Sequence, residues 1–321
     1  MRPDQPLTFR PLYMERVWGG RRIAEKFGRP LPAGAPIGES WELVDREDAQ
    51  SVVESGPLAG KTLHELWTTL RSPIFGRVAD SPRFPLLAKI LDARETLSVQ
   101  VHPPARIAAE LKGEPKSEMW FLLESEPGAE LFAGFRRGTT RAQFETALAE
   151  GHAADLLHRL PVRAGDAIFI PGGRCHAIGA GCFLVEMQQN SDTTYRIFDW
   201  NRVGLDGKPR PLHLRESLLS IDFADHEPSL AHRDGETVVA CEHFKIEHWT
   251  LDRAKTDASE NCAIFTVLGG SLVCGGRTFK AGDFFLLPAS AANRTLAPSQ
   301  PSTSVLRTTL QCITAQACAD T

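Results

Sequence analysis

Arg163-Ala164-Gly165-Asp166-Ala167-Ile168-Phe169-Ile170-Pro171 is echoed later in the chain by Lys280-Ala281-Gly282-Asp283-Phe284-Phe285-Leu286-Leu287-Pro288. Each copy reads as a tight Gly-Asp turn, a short apolar strand that needs burial, and a proline that closes the strand because it has no N–H to give. An apolar strand precedes each: Met119-Trp120-Phe121-Leu122-Leu123 in the first copy, Ile264-Phe265-Thr266-Val267-Leu268 in the second. Self-similarity of this kind means one architectural unit used twice. The copies then diverge. His176 lies five residues past the first proline, where the second copy has Asn293, and Glu118 precedes the first apolar strand, where the second has Ala263. Only the first copy keeps side chains fit to hold a metal.

The turn, strand and proline resemble the second motif of a cupin barrel. The predicted fold is mainly β: two cupin-type β-barrel (jelly-roll) domains with a small helical insertion. Residues 1–230 form the catalytic, metal-binding domain with a helical segment near 105–160, and residues 235–321 a C-terminal cupin-like domain without metal ligands, structural or pocket-covering in role. The polar run Asp225-His226-Glu227-Pro228-Ser229, continuing through Arg233-Asp234-Gly235-Glu236, marks the boundary. Helical patterns are few: Thr62 to Arg71, Ala105 to Leu111, Thr140 to Leu157 and Leu214 to Leu219.

With 42% hydrophobic and 24% charged residues the chain is globular in composition, and a net charge of -4 gives no reason to expect nucleic acid as a partner. An anionic small molecule would need a local basic pocket. No apolar run approaches the roughly 20 residues of a membrane-spanning helix, and the N-terminus has no apolar signal region, so a soluble, unsecreted, cytoplasmic protein is expected. Cys175, Cys182, Cys241, Cys262, Cys274, Cys312 and Cys318 form no CxxC pair and read as reduced thiols. Oligomeric state is not legible.

In Leu97-Ser98-Val99-Gln100-Val101-His102-Pro103, alternation along a strand puts Ser98, Gln100 and His102 on one face. Lys116-Ser117-Glu118 repeats the arrangement and adds a carboxylate. His176 completes a set of Gln100, His102, Glu118 and His176. Two imidazoles with two oxygen donors suit one Zn²⁺ per chain, or another first-row divalent ion. The stretch from Glu186 to Arg202 is too polar to bury unless it lines a wet cavity, and Arg196 within it has the planar fork that binds a phosphate or a sugar oxygen.

These blocks resemble the type I mannose-6-phosphate isomerases in their short bacterial form. The resemblance is carried by Trp18-Gly19-Gly20, Gly38-Glu39-Ser40-Trp41-Glu42, Leu87-Ala88-Lys89-Ile90-Leu91-Asp92-Ala93, Leu97 to Pro104, Lys116 to Trp120, Gly165 to Gly181 and Gln188 to Arg202. It implies zinc at Gln100, His102, Glu118 and His176, catalytic roles for Lys116 and Arg196, and substrate contacts at Ser98, Lys89 and Trp18, the first two being candidates for the phosphate. It also implies interconversion of mannose 6-phosphate and fructose 6-phosphate through a cis-enediol, with a small sugar phosphate as partner and neither membrane nor nucleic acid. Burial and a nearby cation would make Lys116 a candidate base. A fixed positioning charge is its other reading, and a carboxylate or histidine could take the proton instead. Two functions compete: another metallo-cupin enzyme such as an oxygenase at the same ligands, and a non-catalytic sugar-binding cupin, against which the intact ligand set argues.

Overall fold

The computed structural model describes residues 4–310, so Cys312 and Cys318 lie outside the described residues. The chain is mainly β, with antiparallel sheets and short helices between strands. It divides into two compact units, one of Tyr13–Trp41 with Leu87–Ala231, the other of Met1–Leu12 with Glu42–Leu86 and His232–Thr321. One copy of the repeat falls in each. The five described cysteines form no disulfide with one another. Among the described residues no helix is long and apolar enough to cross a membrane.

The unit holding Leu87–Ala231 is built on two sheets. The six-stranded sheet runs, in spatial order, Leu12–Gly20, Ile37–Leu43, Leu86–Ala93, Cys182–Gln189, Glu118–Ser125 and Ala167–Ile170. The five-stranded sheet runs Tyr195–Phe198, Val99–Val101, His176–Ile178, Glu130–Phe135 and Leu157–Pro161. Trp120, Leu184, Leu91 and Ile168 of the first sheet pack on Leu131, Ala133 and Ile178 of the second. Because side chains alternate along a strand, each core-facing row can be followed residue by residue. Those rows read Glu118, Trp120, Leu122; Glu186, Leu184, Cys182; Lys89, Leu91, Ala93; and His176, Ile178, all buried. Every row changes from polar to apolar, so one end of this core is dry and the other carries charge.

The second unit pairs a five-stranded sheet, with Ala263–Gly269 and Thr303–Leu310 at its centre, with a four-stranded one, around Phe265, Phe279, Phe285 and Trp249. The two copies agree hydrogen bond for hydrogen bond. Arg163 N donates to Asp166 Oδ2 at 2.9 Å and Lys280 N to Asp283 Oδ2 at 2.8 Å. Gly165 and Gly282 hold φ of +88° and +87°, a left-handed conformation that glycine adopts without a Cβ penalty. The strand registers agree too: Glu118 faces Ile170, and Ala263 faces Leu287.

The predicted helices are present, and three of the four are shorter. Thr62 is a cap, not a helical residue: its side chain accepts from Glu65 N, the Glu65 carboxylate accepts from Thr62 N, and the helix runs Leu63–Thr69. Thr140 caps Arg141–Ala149 in the same way, and the helix stops there because Gly151 turns at φ +80° into a 3₁₀ segment, Ala153–Leu156. Ala105–Ala108 is a single turn, whereas Leu214–Ser220 matches its pattern.

Candidate active site

Three segments bring the candidate ligands together. Gln100 lies on the strand Val99–Val101 between two partners, opposite His176 on one side and Arg196 on the other. His102 follows that strand directly. The chain that leads to His176 is pressed against it: Gly173 N donates to His102 O at 2.8 Å, and a Cβ on Gly172 would lie 2.9 Å from Pro104 Cα. Glycine is therefore required there by space. Glu118 enters from the other sheet, at the head of its strand.

His102, Glu118 and His176 are buried, and their ligand atoms lie within 4.8 Å of one another. His102 Nε2 is 3.4 Å from Glu118 Oε2, and His176 Nε2 is 3.5 Å from Glu118 Oε1. His102 Nε2 and Glu118 Oε1 have no hydrogen-bond partner, a state that is costly in a buried place unless something else occupies the point they face. Both outer ring nitrogens are engaged by carbonyls, His102 Nδ1 with Thr193 O at 2.9 Å and His176 Nδ1 with Arg174 O at 2.8 Å. That fixes the tautomer, with Nδ1–H donating and the Nε2 lone pair turned toward the carboxylate, as in metal-binding histidines. Burial pushes His102 down, as does Lys116. Burial and His102 push His176 to about 3, so both imidazoles are neutral and ready to ligate. The Gln100 carboxamide is 3.2 Å from His176 Nε2, and a half-turn of the amide presents its oxygen there. The donor set fits a first-row divalent ion.

A cavity of about 530 Å³ opens beside these groups and is lined by Gln100 and Lys116 together with Trp18, Lys89, Ser98 and Arg196. Every candidate from the sequence therefore lies on this cavity or at the triad behind it. Lys116 Nζ is 2.9 Å from Glu118 Oε2. Lys89 is not a free cation: its Nζ lies 3.1 Å from Glu186 and 3.9 Å from Glu39. Burial opposes its charge, but Glu186 and Glu39 raise it above the usual lysine range. Glu39 also takes Arg16 Nε at 3.0 Å and Trp41 Nε1 at 2.6 Å. Burial works against its charge, yet Lys89 and Arg16 hold it at about 2. Glu186 goes the other way, raised by burial and by the charge of Glu118.

Sequence reasoning passed over Arg16, Glu39 and Arg210, and it took Glu186 and Asp192 only as parts of the polar stretch from Glu186 to Arg202; all five are on the cavity. A signal was present for two of them. Glu186 continues the apolar run Phe183-Leu184-Val185, and Glu39 shares a strand, Ile37–Leu43, that is buried throughout. A carboxylate at such a position is tolerated only with partners.

Residues 7–134 match the family model for the catalytic domain of type I phosphomannose isomerase. The mannose-6-phosphate isomerase ManA of Bacillus subtilis (strain 168) is 37% identical over 298 residues, which cover 88% of this chain and 93% of that protein. A mannose-6-phosphate isomerase of Streptococcus mutans is 33% identical over 296 residues, 88% of this chain and 92% of that one. Among solved structures, the mannose 6-phosphate isomerase of Bacillus subtilis superposes with a TM-score of 0.85 at 30% identity, covering 95% of this chain and 99% of that one. A mannose 6-phosphate isomerase bound with zinc and yttrium has the same fold, with a TM-score of 0.74 at 16% identity over 96% of this chain and all of that one.

Proposed function

The chain belongs to the type I phosphomannose isomerase family, and we propose that its cavity is where mannose 6-phosphate and fructose 6-phosphate are interconverted. It is an enzyme, an aldose–ketose isomerase. The observation that carries this reading is the buried triad of His102, Glu118 and His176 behind the wall of a cavity lined by cations and carboxylates alike.

The reaction moves one proton between C2 and C1 and passes through a cis-enediol. Gln100, His102, Glu118 and His176 hold the metal, taken as zinc, and when bound it supplies Lewis-acid stabilisation of negative charge on substrate oxygen. Lys116 moves the proton at its Nζ, a role supported by its position on the cavity wall. Arg196 stabilises the charge that builds on the enediol oxygens through its guanidinium, whose Nε is buried without a hydrogen-bond partner. Ser98, Lys89 and Trp18 contact the sugar phosphate. The same reading makes each pair of sheets a cupin-type jelly-roll barrel. Residues 1–230 then carry the catalytic domain and residues 235–321 a structural one, with Ala263 and Asn293 in place of ligands. The absence of a disulfide among the described cysteines is in keeping with a cytoplasmic location.

The test is conversion of mannose 6-phosphate to fructose 6-phosphate by purified protein, before chelation, after it, and with Zn²⁺ restored. Turnover that is lost to the chelator and returns with zinc is expected. No turnover with metal demonstrably bound would overturn the assignment.

A further inference from the structure

Five cationic side chains line the cavity, and three of them already have carboxylates: Arg16 has Glu39 at 3.0 Å, Lys89 has Glu186 at 3.1 Å, and Lys116 has Glu118 at 2.9 Å. The other two, Arg196 and Arg210, belong with Arg202 to a cluster of different balance. Asp199 accepts from Arg210 Nε at 2.7 Å and Nη2 at 2.6 Å, and from Arg202 Nε at 3.0 Å. Beyond Asp199, the carboxylate that Arg202 meets among the described residues is the largely exposed Glu95, at 3.8 Å. Arg196 pairs with no carboxylate among the described residues; its Nη1 donates to Pro211 O at 2.9 Å, and its buried Nε has no partner. Asp192 and Asp206 line the cavity, but neither forms an ion pair with these arginines. Three partly buried guanidiniums thus surround one carboxylate, and burial together with their mutual repulsion lowers Arg196 and Arg202 below the usual arginine range. Surplus positive charge in a half-buried place is unfavourable until an anion joins it.

The loop that carries Arg210 is built to present it. The chain turns at Trp200 and Asn201, with φ of +55° and +54°, and Trp200 Nε1 anchors it to Leu97 O at 2.7 Å. Val203 bridges Pro209, and Gly204 N donates to Lys208 O at 2.8 Å, so the loop folds back and returns Arg210 to Asp199. Asp199 grips one edge of the guanidinium in a fork, which fixes its plane and leaves Nη1 to donate to something else.

We propose, on the isomerase reading above, that Arg210 is the residue of this enzyme that engages the substrate phosphate, and that Asp199 is its positioning residue. A phosphate ester brings up to two negative charges and oxygens that match a guanidinium edge. At Lys89 the same group would meet Glu186 and Glu39, so Lys89 serves sugar hydroxyls.

The test uses zinc-loaded Arg210→Met, Arg210→Lys and Asp199→Asn proteins, with the KM for mannose 6-phosphate and competitive inhibition by inorganic phosphate as readouts. In Arg210→Met both the KM and the phosphate inhibition constant rise about tenfold or more, and by a larger factor than kcat falls. Arg210→Lys recovers part of this, and Asp199→Asn shifts both constants the same way. A folded Arg210→Met protein whose KM and phosphate inhibition stay within about twofold of the parent would overturn the proposal, as would a loss confined to kcat. A parent enzyme that is inactive with zinc bound sinks the isomerase reading itself, whereas an active parent with an indifferent Arg210→Met sinks only the role of Arg210.

Discussion

Glu118 has more than one claim on it. Its Oε2 lies 2.9 Å from Lys116 Nζ and 3.4 Å from His102 Nε2, so the carboxylate that offers itself to a metal also fixes the ammonium at the cavity wall. Burial opposes its charge, but Lys116 holds it well below the usual carboxylate range, so it is ionised throughout the working pH range. Lys116→Ala removes a group from the cavity, and with it the cation beside Glu118 Oε2, but leaves all four ligand side chains in place. Lys116→Ala and Arg196→Ala should each lower kcat by roughly 10²- to 10⁴-fold while retaining stoichiometric zinc, checked by steady-state kinetics beside metal analysis. Metal-replete variants with near-parental rates would remove those roles. The triad of His102, Glu118 and His176 was legible because His102 follows Gln100 by two at the end of a strand, and because the second copy has lost its counterparts to Glu118 and His176. Glu39 and Arg210 were not legible, since each gains its meaning from partners far away in sequence: Lys89 for one, and for the other a loop that folds back on Asp199.

At the scale of strands and turns, the repeat conserves more than its spelling suggests. Glu186 pairs in register with Trp120, and Arg307 pairs in register with Phe265, its structural equivalent. Glu186 meets Lys89 on the neighbouring strand at 3.1 Å; Arg307 meets Glu247 on the neighbouring strand at 2.5 Å. The buried ion pair is thus kept with its signs exchanged, which no string comparison reveals because Glu186 and Arg307 look unrelated. In the second unit the pair is extended by Asp257, which takes Arg307 Nη2 at 2.7 Å and also binds Arg294, and no metal-ligating group of three His, Cys, Asp or Glu occurs there among the described residues. Arg307→Met should therefore destabilise by about 3–5 kcal/mol, because Asp257 and Glu247 lose a shared cation in a largely buried place. Urea unfolding measures this, and a loss under about 1 kcal/mol would mean the network is indifferent to it. The turns make a second test. Gly165 holds φ +88°, where a Cβ costs roughly 1–2 kcal/mol, so Gly165→Ala should lower the thermal midpoint by a few degrees. An unchanged midpoint would show that the turn relaxes at no cost. Strands and turns were readable from the sequence because their signals are local; the helix predicted to reach Leu157 stops at Ala149 because Gly151 turns the chain.

For the molecule as a whole, a net charge of -4 conceals how its charges are placed. Lys89, Glu39, Glu186, Lys116 and Glu118 are all buried at one end of a single core, an arrangement that favours chemistry over stability. It also sets how acid unfolds the chain. Glu39 sits at about 2 when folded and near 4.3 when unfolded, so its contribution is fully present above the unfolded value and disappears as pH falls through the folded one. On that difference it amounts to something on the order of 3 kcal/mol. Glu186 is raised instead, so its contribution is fully present below the unfolded carboxyl value and is lost as pH rises through the folded one. On acidification Glu186 therefore takes up its proton first, while Glu39 still neutralises Lys89 and Arg16, and the steep loss of stability waits for Glu39. Glu39→Gln should be less stable at neutral pH, because Lys89 and Arg16 lose a shared anion, and should show a flatter decline between about pH 4.5 and pH 2. Urea unfolding of the parent and Glu39→Gln proteins across that range measures both effects. Parallel acid limbs would mean that Glu39 is not the group whose protonation breaks the site, and that the acid sensitivity of the fold lies elsewhere.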